Sequence, residues 1–260
     1  MSQYTLITGA SSGIGYEFAK VFAERGHHLV LVARSREVLE TLAAELHKNF
    51  KVNVHVVTAD LSSDEECMKV FQICQESGWS VENLVNNAGL GDNEAFALSD
   101  WKKQDQQIRL NIHALVRLTH LFLPDMVKLK TGGVLNVAST AAFQAGPYMA
   151  VYYATKAFVL SFTEALGEEL RGTGVHVTAL CPGPTESKFQ KVAGLDDAEL
   201  FKYLHVPTSR SVAEYGYKSF RLGKRVAIHG LMNKLGVQLL RISPRALVVR
   251  IVRLLQEKRR

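Results

Sequence analysis

The run Leu6-Ile7-Thr8-Gly9-Ala10-Ser11-Ser12-Gly13-Ile14-Gly15 joins a short apolar segment near the start of the chain to a helical pattern. The apolar segment, Tyr4 to Thr8, predicts a buried strand. Residues Tyr16 to Arg25 predict a helix that ends at Gly26 as a left-handed cap. A strand, a glycine turn and a helix in this order place unpaired helix N–H groups where they can bind a phosphate.

The glycine spacing, Gly-x-x-x-Gly-x-Gly, differs from the usual dinucleotide-binding fingerprint, in which two residues separate the last two glycines. Gly9 would form the tight turn. Gly13 and Gly15 lack side chains and would let a pyrophosphate approach the backbone and the helix pack close to the strand. Glycine turns without a ligand are common, but a triad directly after the first strand favours a nucleotide site.

Length and composition limit the classes of protein that the chain can form. Its 260 residues, 47% of them hydrophobic, suit a single domain over residues 1–260. No apolar run is long enough to span a membrane, and the first strand starts too close to Met1 to leave room for a signal peptide. Three scattered cysteines, Cys67, Cys74 and Cys181, indicate a reducing compartment. We therefore expect a cytoplasmic protein without stable membrane insertion.

The charged and metal-binding residues point to no further class. Nine histidines show no metal-ligand spacing, so no metal is expected. A net charge of +6 is compatible with nucleic acid or an anionic membrane, but such a modest, spread charge more often belongs to a solvated surface. No nucleic-acid partner is therefore expected.

Strand and helix patterns alternate along the chain. Six further strands are predicted at 28–33, 52–57, from 84 onward, at 133–138, at 175–180 and near 225–229. Helices are predicted after a Ser35 cap, after a Ser62–Glu65 capping box, over 101–128 and over 151–171. The alternation predicts a single doubly wound Rossmann-type α/β domain, with a parallel sheet of about seven strands and helices on both faces.

The segment from Pro184 to Lys224 interrupts this alternation and predicts a substrate lid. Apolar side chains occur in it and also between Ser139 and Tyr152, which predicts a largely apolar substrate and a water-poor site. These side chains are Phe189, Leu195, Leu200, Phe201, Tyr203 and Leu204 in the segment, and Phe143, Pro147, Tyr148 and Met149 before Tyr152.

Several motifs at predicted strand ends and on helices stand in one order. They are Thr8-x-x-x-x-Gly13-Ile14-Gly15, Asp60, Asn86-Asn87-Ala88-Gly89, Asn111, Ser139, Tyr152-x-x-x-Lys156 and Pro182-Gly183. Together they closely resemble the short-chain dehydrogenase/reductase family over residues 4 to about 185. The resemblance implies an oxidoreductase that interconverts a carbonyl and an alcohol. The region after about residue 185 varies in that family, so the resemblance does not identify the substrate.

The resemblance implies four catalytic residues. Tyr152 would donate or accept the proton, Ser139 would stabilise the substrate oxygen, and Asn111 would support a proton-relay water. Lys156 would bind the nicotinamide ribose and lower the pKa of Tyr152, with which it shares a helix face.

Other roles for these positions stay open from spacing alone. Tyr153 shares roughly the same helix face as Tyr152. Asn111 in a helix interior can simply satisfy a buried backbone group, and Ser139 can be a plain helix cap.

The cofactor is predicted from the residue that follows the second strand. NAD enzymes place an acid there, but this chain has Arg34, which suits the 2′-phosphate of NADP. Ser12 departs from the pattern, because many NADP-specific relatives carry a basic residue there. Asp60 would meet the adenine edge and Thr185 the nicotinamide carboxamide. The residues assigned to NADP are Gly9, Ser11, Ser12, Gly13, Ile14, Gly15, Arg34, Asp60, Leu61, Asn87, Ala88, Gly89, Tyr152, Lys156, Pro182, Gly183 and Thr185.

The leading hypothesis is an NADP-dependent reductase or dehydrogenase of a ketone, aldehyde, 3-oxoacyl or steroid-like carbonyl, assembled as a homodimer or homotetramer through helices 101–128 and 151–171. A non-catalytic NADP-binding sensor or scaffold is the alternative. A third hypothesis is nucleic-acid or membrane binding by the basic amphipathic stretch Pro244 to Arg260. Packing of that stretch on the core or on a neighbouring subunit is the favoured explanation for it.

Overall fold

The structure, a computed structural model, describes residues 3–186 and 206–257. Its strands form one parallel sheet in the order β3-β2-β1-β4-β5-β6-β7. The predicted fold class, α/β with about seven parallel strands, is confirmed. The strands are β1 Gln3–Thr8, β2 His28–Ala33, β3 Val54–Thr58, β4 Ser80–Asn86, β5 Gly133–Val137, β6 His176–Cys181 and β7 Val226–Ile228.

Helices connect the strands and follow β7. The long region predicted over 101–128 is interrupted by a π-helical stretch, Arg109–Ala114. A short 3-10 helix, Thr140–Phe143, follows β5. The α-helices are α1 Gly13–Ala23, α2 Arg36–Phe50, α3 Asp64–Glu76, α4 Trp101–Ile108, α5 Leu115–Leu129, α6 Ala150–Glu169, α7 Ser209–Arg221, α8 Leu231–Ile242 and α9 Arg245–Gln256.

The sheet separates two apolar cores because side chains on a strand alternate between its faces. In β2, Leu29 and Leu31 pack in one core with Phe22 of α1. Val30 and Val32 pack in the other core, with residues of α3 and α5 such as Phe122. Helices therefore cover both faces, as predicted.

The strand order fixes where a ligand can bind. From β1 the chain winds outward to β2 and β3, and it then returns to β4 on the other side of β1. The neighbouring crossovers lead away from each other at this point, which leaves a crevice beyond the carboxyl ends of β1 and β4.

Two helix starts differ from the prediction. α1 begins at Gly13 and ends at Ala23, and Gly26 adopts its left-handed φ of +82° only beyond the helix end. The cap of α3 is Ser63, whose hydroxyl accepts a hydrogen bond from the Glu66 N–H at 3.3 Å. The predicted Ser62 cap is wrong because Ser62 instead donates to Asp60 at 2.7 Å.

The structure describes only part of the predicted lid, 184–224. Residues 187–205, with Phe189, Leu195, Leu200, Phe201, Tyr203 and Leu204, lie outside the described residues. The later part forms α7, in which Val212, Ala213 and Phe220 are fully buried in the core that contains α1. The lid prediction is therefore wrong for α7, because its apolar face is buried against the sheet and not over a site.

The described residues also bear on the expectations about membrane spans, metal sites and cysteines. In the described part of the chain, no helix combines the length and apolar character needed to cross a membrane. The same residues contain no group of three side chains suited to a metal ion. The three cysteines are buried and unpaired, and burial raises the pKa of Cys67 to about 11.

Candidate active site

A cavity of about 570 Å³ lies at the crevice beyond the carboxyl ends of the strands. All of the predicted site residues except Gly15 and Asn111 line it. Those that line it are Gly9, Ser11, Ser12, Gly13, Ile14, Arg34, Asp60, Leu61, Asn87, Ala88, Gly89, Ser139, Tyr152, Lys156, Pro182, Gly183 and Thr185. The fold thus brings together motifs that are far apart in the sequence.

The glycine turn brings the backbone close to the end of β4. Gly9 has a left-handed φ of +66°, and a Cβ there would lie only 2.9 Å from the Ala88 Cα. A Cβ on Gly15 would overlap the Asn87 amide nitrogen and the Gly9 carbonyl. Gly15 therefore lies behind the turn and allows α1 to pack closely against it.

Thr8 ties this turn to the segment after β4. Its hydroxyl accepts hydrogen bonds from the backbone N–H groups of Asn87 and Ala88, each at 3.0 Å, and donates to the Val85 carbonyl at 3.3 Å. The Asn87 side chain donates to the Thr8 carbonyl at 2.9 Å. These bonds hold the turn in place against β4.

The first turn of α1 is suited to a phosphate. Ser12 is its N-cap residue, but the Ser12 side chain makes no capping hydrogen bond. Gly13 and Ile14 of the same turn line the cavity. Helix N–H groups and the positive end of the helix dipole therefore border a space that side chains leave open, which fits a dinucleotide pyrophosphate.

Arg34 and Asp60 lie at one end of the cavity, after β2 and β3. Arg34 is exposed, whereas its neighbour Arg36 pairs with Glu40 at 2.7 Å and does not line the cavity. Burial raises the pKa of Asp60, but hydrogen bonds from Ser62 and the charge of Arg34 outweigh it and lower that pKa. This end offers a cation and a hydrogen-bond acceptor, as an adenosine 2′-phosphate and an adenine edge require.

Ser139 and Tyr152 are hydrogen-bonded to each other, and both line the cavity. Ser139 also caps the 3-10 helix, because its hydroxyl accepts from the Ala141 N–H at 3.1 Å. It is therefore both a cap and a partner of the tyrosine. Burial raises the pKa of the Tyr152 phenol, and the bond with Ser139 opposes this only in part.

Lys156 lies one helical turn after Tyr152. Its ammonium group donates to the Val137 carbonyl at 2.8 Å and lies 5.8 Å from the centre of the Tyr152 ring. Burial lowers the pKa of Lys156 to about 8. Burial outweighs the other influences on the Tyr152 phenol in the protein alone. The expectation that Lys156, together with a bound nicotinamide, lowers the pKa of Tyr152 stays a prediction.

Tyr153 also lines the cavity, but its hydroxyl has a different partner. It accepts a hydrogen bond from the Gln256 amide at 2.9 Å, and the two tyrosine rings meet edge to face. Burial raises the pKa of Tyr153 as well. The structure thus separates the two tyrosines, since Tyr152 is the one that contacts Ser139.

Asn111 is buried in the π-helical stretch and does not line the cavity. Its carboxamide accepts from the Leu90 N–H and donates to the Leu90 carbonyl, each at 2.8 Å, and it also donates to Thr155 at 3.0 Å. These bonds fix the backbone that follows Gly89. Asn111 thus supports this backbone, and its role in a proton relay stays a prediction.

The residues directly after β6 also line the cavity. Thr185 is buried, and its hydroxyl donates to the Gly183 carbonyl at 2.9 Å. A Cβ on Gly183 would lie 2.5 Å from the Asn233 amide nitrogen, so α8 packs directly on this turn.

Helices α8 and α9 form a cavity wall that the sequence patterns did not predict. Met149 also lines the cavity, whereas Phe143, Pro147 and Tyr148 do not. Gln256 is buried, and its side-chain oxygen has no hydrogen-bond partner among the described residues. The wall residues of the two helices are Met232, Asn233, Gly236, Val237, Leu240, Val252, Leu255 and Gln256.

Comparisons with known proteins agree with this geometry. The family model for short chain dehydrogenase matches residues 3–198. Sulfoacetaldehyde reductase 2 of Chromohalobacter salexigens is 37% identical over 219 residues, which cover 82% of this chain and 85% of that protein. Serine 3-dehydrogenase of Agrobacterium fabrum is 35% identical over 241 residues, which cover 89% of this chain and 93% of that protein.

A solved structure is similar along most of its length. It is a short-chain dehydrogenase from Sphingobium yanoikuyae in complex with NADPH, with a TM-score of 0.82 and 33% sequence identity. The match covers 93% of this chain and 94% of that chain.

Proposed function

Because the chain belongs to the short-chain dehydrogenase family, we propose that it is an NADP-dependent oxidoreductase acting on a largely apolar ketone, aldehyde, 3-oxoacyl or steroid-like carbonyl. One observation carries the proposal. Ser139, Tyr152 and Lys156 lie in the same cavity as the glycine turn and Arg34. The cavity therefore combines an acid, a hydrogen-bond donor and a cation with a place for a dinucleotide.

Each catalytic residue has a role that follows from its position. When bound, the nicotinamide supplies or accepts the hydride. In reduction, Tyr152 gives its phenolic proton to the carbonyl oxygen while Ser139 hydrogen-bonds the same oxygen. Near neutral pH the phenol carries its proton, which is the form that a proton donor needs. Lys156 binds the ribose hydroxyls and keeps a positive charge near Tyr152.

The preference for NADP rests on Arg34. A guanidinium forms strong, often bidentate, hydrogen bonds with a phosphate, and no acid follows β2 to bind a ribose 2′-hydroxyl. The similar dehydrogenase from Sphingobium yanoikuyae, in complex with NADPH, supports the same choice.

The substrate class rests on the walls of the cavity. Leu110, Met149, Val237, Leu240 and Val252 present apolar side chains to it. An apolar wall beside the reacting carbonyl favours apolar substrates and excludes water.

We also propose that residues 1–260 form a single domain and that the chain assembles as a homodimer or homotetramer. Trp101 of α4 and Phe158 of α6 are 65% and 41% exposed, and burial of such side chains favours pairing through these helices. Light scattering at micromolar concentration checks the assembly, and a monomeric mass would contradict it. A cytoplasmic location stays a prediction, supported by the three unpaired cysteines.

The experiment that tests the proposed function is a screen of ketones, aldehydes and alcohols with NADPH, NADH and their oxidised forms, followed by absorbance. We expect turnover of apolar carbonyls with NADPH and weak activity with NADH. Tight NADPH binding without turnover of any carbonyl or alcohol would instead favour the non-catalytic sensor. Activity confined to small, highly charged substrates would contradict the substrate class.

A further inference from the structure

Helices α8 and α9 each present an exposed apolar stripe that the proposed function does not use. In α8 the stripe contains Leu231, Leu235, Leu239 and Ile242, and their spacing places them on one side of the helix. In α9 it contains Leu247, Ile251, Leu254 and Leu255. Met232 lies beside the α8 stripe. These nine residues, here called the α8–α9 face, are all exposed, and Ile242 reaches 81%.

Both helices border the cavity on their exposed sides. Met232 and Leu255 are exposed and also line the cavity. The opposite sides of the same helices, with Val237 and Val252, are buried. The helices are thus anchored to the fold on one side while their other side is apolar and open.

The charged side chains that the two helices themselves carry are all basic. Between Leu231 and Gln256 the sequence contains five basic residues and no aspartate or glutamate: Lys234, Arg241, Arg245, Arg250 and Arg253. All five are exposed. Arg253 has an acidic neighbour, Glu257, at 3.8 Å. An apolar stripe flanked by basic side chains is the pattern of a helix that lies in the interface of an anionic membrane.

We propose that the α8–α9 face docks the protein on the surface of a bilayer containing anionic phospholipid, with the cavity mouth toward the lipid. The apolar stripes enter the boundary between headgroups and acyl chains, and the basic side chains contact lipid phosphates. The charge pattern favours this occupant over a second copy of the chain. A two-fold interface sets a surface against itself and would bring these five cations together with Glu257 as the acidic neighbour of one of them. The inference is independent of the proposed function.

The test measures co-sedimentation of the full chain with vesicles of phosphatidylglycerol and phosphatidylcholine, and with vesicles of phosphatidylcholine alone. We expect binding to the anionic vesicles only, weakened at about 0.5 M salt by charge screening. I242Q/L254Q removes two exposed apolar side chains that do not line the cavity, and R241Q/R250Q removes two cations. Each double variant should weaken binding about tenfold or more, while thermal unfolding and NADPH affinity stay unchanged.

Matched controls lie elsewhere on the surface. Leu98 is 76% exposed, so L98Q removes a comparable apolar side chain, and R36Q/R171Q removes two exposed cations. Both controls should bind vesicles like the wild type. Equal binding to neutral and anionic vesicles would overturn the proposal. So would a loss of vesicle binding in the control variants as large as in I242Q/L254Q and R241Q/R250Q. Absence of binding to any vesicle would also overturn it. If I242Q/L254Q then disrupts a dimer, the occupant of the α8–α9 face is a second copy of the chain.

Discussion

Asn111 holds the backbone of Leu90 through two hydrogen bonds, one to its N–H and one to its carbonyl, each 2.8 Å long. Leu90 follows Gly89 and lines the cavity, so this pair connects the π-helical stretch to the site. π-helical turns inside α-helices often occur at functional sites. Here the turn presents a carboxamide to the segment that follows β4.

Asn111→Ala should therefore act mainly on stability. The change leaves both backbone groups of Leu90 and the Thr155 hydroxyl without their partner, and we expect the free energy of unfolding to fall by about 2–4 kcal/mol. Chemical denaturation measures this. Asn49→Ala, an exposed position on α2, is the control and should change little. Loss of turnover with wild-type stability would instead support the proton-relay role that the family resemblance implies.

Arg34→Ala should weaken NADPH binding by about tenfold to a hundredfold, because it removes a charged hydrogen bond worth about 1.5–3 kcal/mol. NADH affinity should hardly change, since NADH has no 2′-phosphate. Arg36→Ala is a matched control two residues away, because Arg36 pairs with Glu40 and does not line the cavity. Calorimetric titration gives both affinities. A wild-type protein that binds NADH as tightly as NADPH would refute the assignment of the cofactor.

Lys156→Met should stabilise the folded protein near neutral pH while it damages turnover and NADPH binding. Burial lowers the pKa of Lys156 to about 8, so folding costs free energy wherever the unfolded side chain is charged. This cost is fully present below pH about 8 and disappears as the pH rises toward the unfolded pKa of about 10.4. The gain should be about 1–3 kcal/mol near pH 7 and smaller near pH 10.

Thermal unfolding across this pH range tests the Lys156 prediction, with Lys102→Met at an exposed position as control. A gain that does not depend on pH, or a loss of stability near neutral pH, would contradict it. Stability and turnover of the Lys156→Met variant, measured together, show whether the buried ammonium serves the site at the expense of stability.

The sequence predicted the features that local patterns determine. The bounds of β2 agree with the prediction, 28–33, because an apolar run of that length between turns has little freedom in a parallel sheet. The glycine turn, Ser139, Tyr152 and Lys156 meet in the cavity because all of them follow strand ends or share the α6 face. Ser62 and Ser63 are each followed by a glutamate three residues later, so the sequence alone could not select the α3 cap.

Other features depend on contacts that no local pattern reveals. The π-helical stretch exists where Asn111 meets Leu90, which is 21 residues away in the chain. The wall formed by α8 and α9 was missed because one side of each helix is buried and the other is apolar but exposed. Periodicity alone does not tell which apolar side faces the core. The pKa of Tyr152 likewise depends on burial, which the spacing to Lys156 could not show.

The most direct test of the central claim compares Tyr152→Phe with Tyr153→Phe in single-turnover reduction of the best carbonyl from the screen. Tyr152 contacts Ser139, whereas the Tyr153 hydroxyl is occupied by Gln256. We predict that Tyr152→Phe slows hydride transfer by about a hundredfold or more with NADPH affinity largely kept, and that Tyr153→Phe has a much milder effect. Wild-type rates in Tyr152→Phe together with an inactive Tyr153→Phe would show that the wrong tyrosine was chosen. Wild-type rates in both would contradict the mechanism.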